Sequence, residues 1–185
     1  MTSKMSKQEQ RAIESAQGYL LLDLPDAALR ELSIFRDTVA VIDSDSDLPM
    51  AVSQLRGEAF RAKEEFEKAL GYFHQALPHV EADCHLHMSM AWCFKRVGRL
   101  DQAIESMKAA YAHSPKEPIV LYNLACYYSL AGLKHEALSW LGRAFRMDGS
   151  LRRLVPKESD FDLIRSDSDF ESLMQLSEPK KPKAS

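Results

Sequence analysis

Between residues 57 and 144 small and aromatic side chains recur with a fixed period. Ala69 in FEKALGYFHQAL, Ala103 in LDQAIESMKAAY and Ala137 in KHEALSWLGRAF stand 34 residues apart. Around each alanine the same order returns: a small residue twelve positions earlier (Gly57, Ala91, Ala125), an aromatic nine earlier (Phe60, Phe94, Tyr128) and a second alanine seven later (Ala76, Ala110, Ala144). A weaker copy lies upstream on Ala28, with Ala16 and Tyr19 in the matching places and Phe35 where the last alanine would fall. Each copy holds two apolar stretches of helical period joined by a short break. The pattern predicts paired helices near 8–22 and 26–42, 49–63 and 66–79, 83–97 and 100–113, and 117–131 and 134–147. Gly98 and Gly132 stand where a first helix should stop, because glycine admits a left-handed cap. A small residue on the first helix lets its partner approach closely, and the aromatic three positions on shares that face. Ala69, Ala103 and Ala137 are therefore expected on second helices, buried against Gly57, Ala91 and Ala125. Seven extra residues separate the first copy from the second. Phe35, Val39 and Ile42 continue a helical stripe, which predicts that the second helix of the first pair runs to Ile42, with Asp43 to Asp47 in an exposed loop.

A 34-residue period with this order of small and aromatic positions resembles the tetratricopeptide-repeat (TPR) family. The resemblance covers residues 9 to 149. It implies an all-α fold: a right-handed superhelical α-solenoid of about four helix pairs with a C-terminal capping segment. The repeat domain would span 8–149, with units at about 9–42, 50–83, 84–117 and 118–149. No unit can bury its apolar face alone, so stacked neighbours must create the core. Residues 150–177 resemble the closing segment of small TPR proteins, a helical cap in which Phe161 and Phe170 dock while Asp160, Asp162, Asp167 and Asp169 face water. Residues 1–7 and the basic tail 178–185 are expected to be disordered.

Charge and cysteine content narrow the setting. The formal net charge of -3 supplies no global positive excess for holding nucleic acid through its phosphates. No run of about 18 apolar residues occurs, so no membrane span is expected. The start MTSKMSKQEQ has no apolar stretch behind it and does not read as a secretory signal. The 3 cysteines, Cys84, Cys93 and Cys126, are odd in number and lie in helical patterns, which argues for free thiols and a cytoplasmic location.

Candidate chemistry is sparse. Cys84, His85 and His87, with His74 and His79 upstream, are the most metal-like group, but no second pair has zinc-ligand spacing. DSDSDLP opens like a calcium loop, with Asp43, Asp45 and Asp47 in place, yet has Leu48 where glycine is needed and Gln54 where a bidentate glutamate is needed. No phosphate loop, nucleophile elbow or HExxH helix occurs. The reading is of a protein that is not an enzyme, with no catalytic residue, metal or cofactor.

The resemblance further implies a concave groove lined by the first helix of each pair. Its partner-binding positions would be Leu55, Glu58 and Arg61, then Met88, Trp92, Lys95 and Arg96, then Tyr122 and Asn123. Where some TPR proteins clamp a C-terminal carboxylate, this chain has Glu14, Leu55 and Ser89, and only Asn123 fits. The groove would be apolar at its centre and basic at one edge, suited to an amphipathic helix or an extended peptide. Trp92 and Met88 either line it or pack within the stack. The implied function is a protein–protein interaction scaffold with a protein or peptide partner and a possible homo-oligomeric state. The alternatives are a peptide-binding chaperone for a secreted or assembling protein, or a regulatory subunit of an enzyme.

Overall fold

The computed structural model describes residues 5–35, 50–77 and 83–175, and among these residues every regular element is helical. In chain order they are α1 (Lys7–Leu21), α2 (Pro25–Glu31) with a 3-10 turn (Leu32–Ile34), α3 (Met50–Ala62), α4 (Phe66–Ala76), α5 (Cys84–Arg96), α6 (Leu100–His113), α7 (Pro118–Leu130) and α8 (Lys134–Met147). Three 3-10 turns follow (Gly149–Arg153, Val155–Lys157, Ser159–Phe161), and then α9 (Ser168–Gln175).

Local chemistry sets the helix starts. At α1, Ser6 Oγ accepts from the Glu9 amide at 3.2 Å, and the Glu9 carboxylate accepts from the Ser6 amide at 2.7 Å. This reciprocal cap satisfies two amides that the helix leaves unpaired. Asp83 caps α5, its Oδ1 accepting from the Leu86 amide at 3.1 Å. Proline opens both α2 and α7, where a missing N–H removes nothing the helix needs.

The ends of α1, α3, α5 and α7 are all built alike. The backbone turns left-handed at Asp23 (φ 55°), Glu64 (φ 59°), Gly98 (φ 76°) and Gly132 (φ 70°). The next amide then reaches back five residues: Leu24 to Tyr19 O, Glu65 to Phe60 O, Arg99 to Phe94 O and Leu133 to Tyr128 O, each at 2.9 Å. A second bond closes the inner ring, from the left-handed residue to Leu20, Arg61, Lys95 and Ser129 carbonyls respectively. This is the paired-bond C-terminal cap that glycine favours. The recurring aromatic of the sequence is thus the residue whose carbonyl anchors the turn.

The chain forms two compact units, Met1–Arg99 and Leu100–Ser185, and the division falls inside the third repeat. In the first unit α1 packs on α2, α3 on α4, and α4 on α5. Ala12, Ile13, Ala16, Ala28, Leu32, Phe35 and Val52 form one core cluster. Phe60 and Tyr72 stack nearly parallel, their centroids 5.4 Å apart. Ala69 on α4 is fully buried, and the ring that fills the space over Gly57 is Phe73: a Cβ at Gly57 would lie 2.4 Å from it. Phe73 is itself fully buried, and its ring must shift to admit the methyl group. Gly57→Ala should therefore overpack the α3–α4 contact and cost about 1–3 kcal/mol. A urea midpoint equal to the parent's would show that the ring yields freely.

The second helix of the first pair, expected to run unbroken to Ile42, is interrupted: the 3-10 turn ends at Ile34 and Phe35 is extended (φ -86°, ψ 137°), while residues 36–42 lie outside the described residues. The cause is Arg56 of α3, a buried side chain whose Nη2 donates to Leu32 O at 3.0 Å and Phe35 O at 2.8 Å. Leu32 O also accepts from the Phe35 amide at 3.1 Å, which closes the 3-10 turn, while Phe35 O takes the arginine in place of a further helical amide. The predicted loop at Asp43 to Asp47 lies outside the described residues.

In the second unit α7 is apolar on nearly all sides, as a helix surrounded by neighbours must be. It packs against α6, α8 and the last 3-10 turn. Ala103 on α6 and Ala137 on α8 have no exposed surface. Phe161 is fully buried edge-on to Tyr122 (5.7 Å), and Phe170 is buried beside it at 5.8 Å. Of the acidic residues expected to face water, Asp160 does not: it is buried with Phe161, because the tight turn carries both inward. Asp167, half-buried, and Asp169, exposed as expected, reach Lys134 Nζ at 2.8 and 3.2 Å, pinning the start of α9 to the start of α8.

Candidate functional site

In the first unit α3 and α5, the first helices of successive pairs, touch directly, and most of the predicted groove residues lie on them. Glu58 ties the two helices together. Its Oε1 accepts from Ser89 Oγ of α5 at 2.6 Å, and its Oε2 accepts from Arg61 Nε at 2.7 Å. Arg61, so held, lies over the indole of Trp92 at 5.4 Å, while Arg96 approaches the same ring at 5.6 Å. Phe66, at the start of α4, meets Trp92 edge-on at 5.2 Å and also lies under Arg96 at 5.3 Å. Trp92 is half-buried and Arg96 is exposed. The result is an aromatic surface flanked by two guanidinium groups, an arrangement attractive to both apolar and anionic groups.

Beside it lies a cavity of about 290 Å³, with Leu55, Leu86 and Phe73 as apolar walls and Gln17, Glu58 and Asp83 as polar lining. Gln54 Nε2 donates to Asp83 Oδ2 at 2.7 Å, which fixes that carboxylate between α3 and α5. Met88 is half-buried with its sulfur 3.8 Å from Cys84 Sγ, and Lys95 is half-buried. Cys93 lies underneath, and burial pushes its thiol up to about 12, so it stays protonated and weakly reactive.

The remaining two predicted groove residues lie in the second unit. Asn123 is half-buried. Tyr122 is only 3% exposed and is covered by Phe161, so it belongs to that unit's core and does not line an open groove. The 3-10 segment that covers it carries no helical periodicity, so nothing in its spacing marks where it docks. Sequence reasoning also missed Phe66, since it assigned the surface to first helices alone, and it missed the cavity residue Asp83.

Helix pairs joined at left-handed caps, with small residues at the pair contact, define a helical-repeat fold of the TPR type. Solved structures agree. A MamA crystal structure is 18% identical, covers 78% of this chain and 80% of its own, and superposes with a TM-score of 0.65. The MamA RS-1 ArsTM double mutant is 15% identical over 92% of this chain and 96% of its own, with a TM-score of 0.67. A thermophilic TPR protein of Thermus thermophilus is 22% identical over 89% of this chain and 80% of its own, with a TM-score of 0.59. At these identities the likeness is one of fold. No protein-family model matches the chain, and no curated protein does. Among the described residues no helix is long and apolar enough to cross a membrane.

Proposed function

We propose that this chain is a non-catalytic protein-interaction scaffold, and that the α3–α5 face of its first unit binds a peptide or amphipathic helix. The observation that carries this reading is Trp92: half-buried, set edge-on to Phe66 and approached by the guanidiniums of Arg61 and Arg96. Binding energy concentrates in such aromatic and arginine anchors, and a ring already fixed by its neighbours loses little freedom when a ligand arrives. The cavity beside it accepts one aliphatic side chain between Leu55 and Leu86, and Arg96 meets a carboxylate further along the ligand. The TPR-type fold supports the same reading, because repeat stacks present extended binding faces.

The test starts from peptides selected on the immobilised full chain and titrated against variants. Trp92→Ala should weaken binding at least tenfold, about 1.4 kcal/mol, with the melting midpoint close to the parent's. Arg96→Ala, at an exposed position, should slow association, and that effect should shrink as salt is raised. Full affinity in both variants overturns the proposal. Should Trp92→Ala unfold, the Arg96→Ala result decides alone.

A further inference from the structure

We propose that Cys126, Glu158 and Asp160, with the Tyr122 hydroxyl, form a binding site for one divalent transition-metal ion of the zinc type, which fastens the C-terminal 3-10 segment to α7. The thiol and one oxygen from each carboxylate lie within 4.8 Å of one another, close enough to share one ion. They come from elements far apart in sequence: Cys126 from α7, and Glu158 and Asp160 from the last 3-10 turn and its cap. Cys126 is 2% exposed and Asp160 is 6% exposed, so a soft donor and a hard anion are held together away from water.

Tyr122 supplies an independent pointer to a ligand. It stands one helical turn before Cys126 on the same face of α7. Its ring packs edge-on to Phe161, the residue after Asp160. It is 3% exposed, and its hydroxyl oxygen is buried with no hydrogen-bond partner. A buried hydroxyl without a partner needs an explanation, and a cation among these donors gives one.

The frame around the donors is already fixed. Glu158 Oε1 accepts from the Asp160 amide at 3.2 Å, which orients that carboxylate. Arg165 donates to the carbonyls of Val155 at 3.2 Å and Glu158 at 2.7 Å, holding the turn in place. Outer contacts of this kind are what preorganise metal ligands. One thiolate with carboxylate oxygens suits zinc or cobalt; magnesium and calcium demand all-oxygen sets with more ligands. As the metal–sulfur bond forms, the Cys126 proton passes to solvent, and no electron changes hands. The cysteine–histidine group around Cys84 is a different place: Cys84 lies against Met88 in the first unit.

The full chain, stripped with a chelator, is titrated with zinc chloride by calorimetry and with cobalt chloride by absorption. The expected result is one ion per chain, a thiolate-to-cobalt charge-transfer band and a higher melting midpoint with zinc. Loss of a single outer partner typically weakens metal binding ~10–100-fold, so Cys126→Ser should lose at least about a hundredfold and the band. Asp160→Asn should weaken zinc about tenfold or more, and Cys84→Ser should keep full affinity. Binding that survives Cys126→Ser, binding lost with Cys84→Ser, or no stoichiometric uptake each overturns the proposal. The cobalt band of the parent reads thiolate ligation even if Cys126→Ser fails to fold.

Discussion

Phe161→Ala should lower stability by about 3–5 kcal/mol, the range for emptying a fully buried aromatic site. Phe161 has no exposed surface and touches Tyr122 on one side and Phe170 on the other. It is also the last residue of a three-residue 3-10 turn, which has little hydrogen bonding of its own to keep it seated once the ring is gone. The loss should propagate: Phe170 loses a neighbour, and the acidic start of α9 is left with only its partly exposed ion pairs to Lys134, which contribute little. Urea unfolding followed by circular dichroism reads the effect, and Phe161→Leu should recover much of it by keeping most of the volume. A Phe161→Ala midpoint near the parent's would mean that the C-terminal segment does not close the second unit's core.

Arg56→Ala should cost the first unit about 3 kcal/mol, through polar groups and not through volume. The guanidinium serves two buried carbonyls, Leu32 O and Phe35 O, and sits 5.6 Å from the ring centroid of Tyr72. Phe35 O, left unsatisfied in the interior, costs about 1–3 kcal/mol, Leu32 O keeps only the Phe35 amide, and the stacking on Tyr72 goes as well. Arg56→Lys should fall between parent and alanine, because an ammonium can replace a hydrogen bond but not a planar fork over a ring. The measurement is again a denaturant midpoint. A change under about 0.5 kcal/mol, the ordinary scatter of surface substitutions, would remove Arg56 from the account of why the helical stretch stops at Ile34.

That stop shows where sequence reasoning reaches its limit. The 34-residue period was readable because each copy satisfies the same local requirements: a small contact residue, an aromatic whose carbonyl anchors the turn, and a left-handed position. Gly98 and Gly132 announce that last position, while Glu64 and Asp23 adopt it without announcing it. The stripe Phe35, Val39, Ile42 is equally periodic, yet Arg56 meets the end of the preceding helical turn from 21 residues away in the chain. A periodic stripe reports what a segment can do alone, and a distant donor can override it. The candidate surface divides in the same way. Trp92, Arg61 and Arg96 were named because the repeat resemblance implies a groove on first helices, whereas Phe66 joins them from a second helix. Tyr122 and Asp160 were misplaced because an irregular segment, with no period to read, folds over α7.

The two tryptophans give the molecule a pair of built-in optical probes. Trp92 lies in the first unit beneath Arg61 and Arg96, and Trp140 lies in the second, edge-on to Tyr111 and 4.1 Å from the Arg143 guanidinium. Each indole thus has its own charged, ring-lined environment, and the sequence contains no third one. Replacing either by phenylalanine leaves a single emitter confined to one half of the chain. The decay of its emission after a denaturant jump would clock the opening of that half on its own.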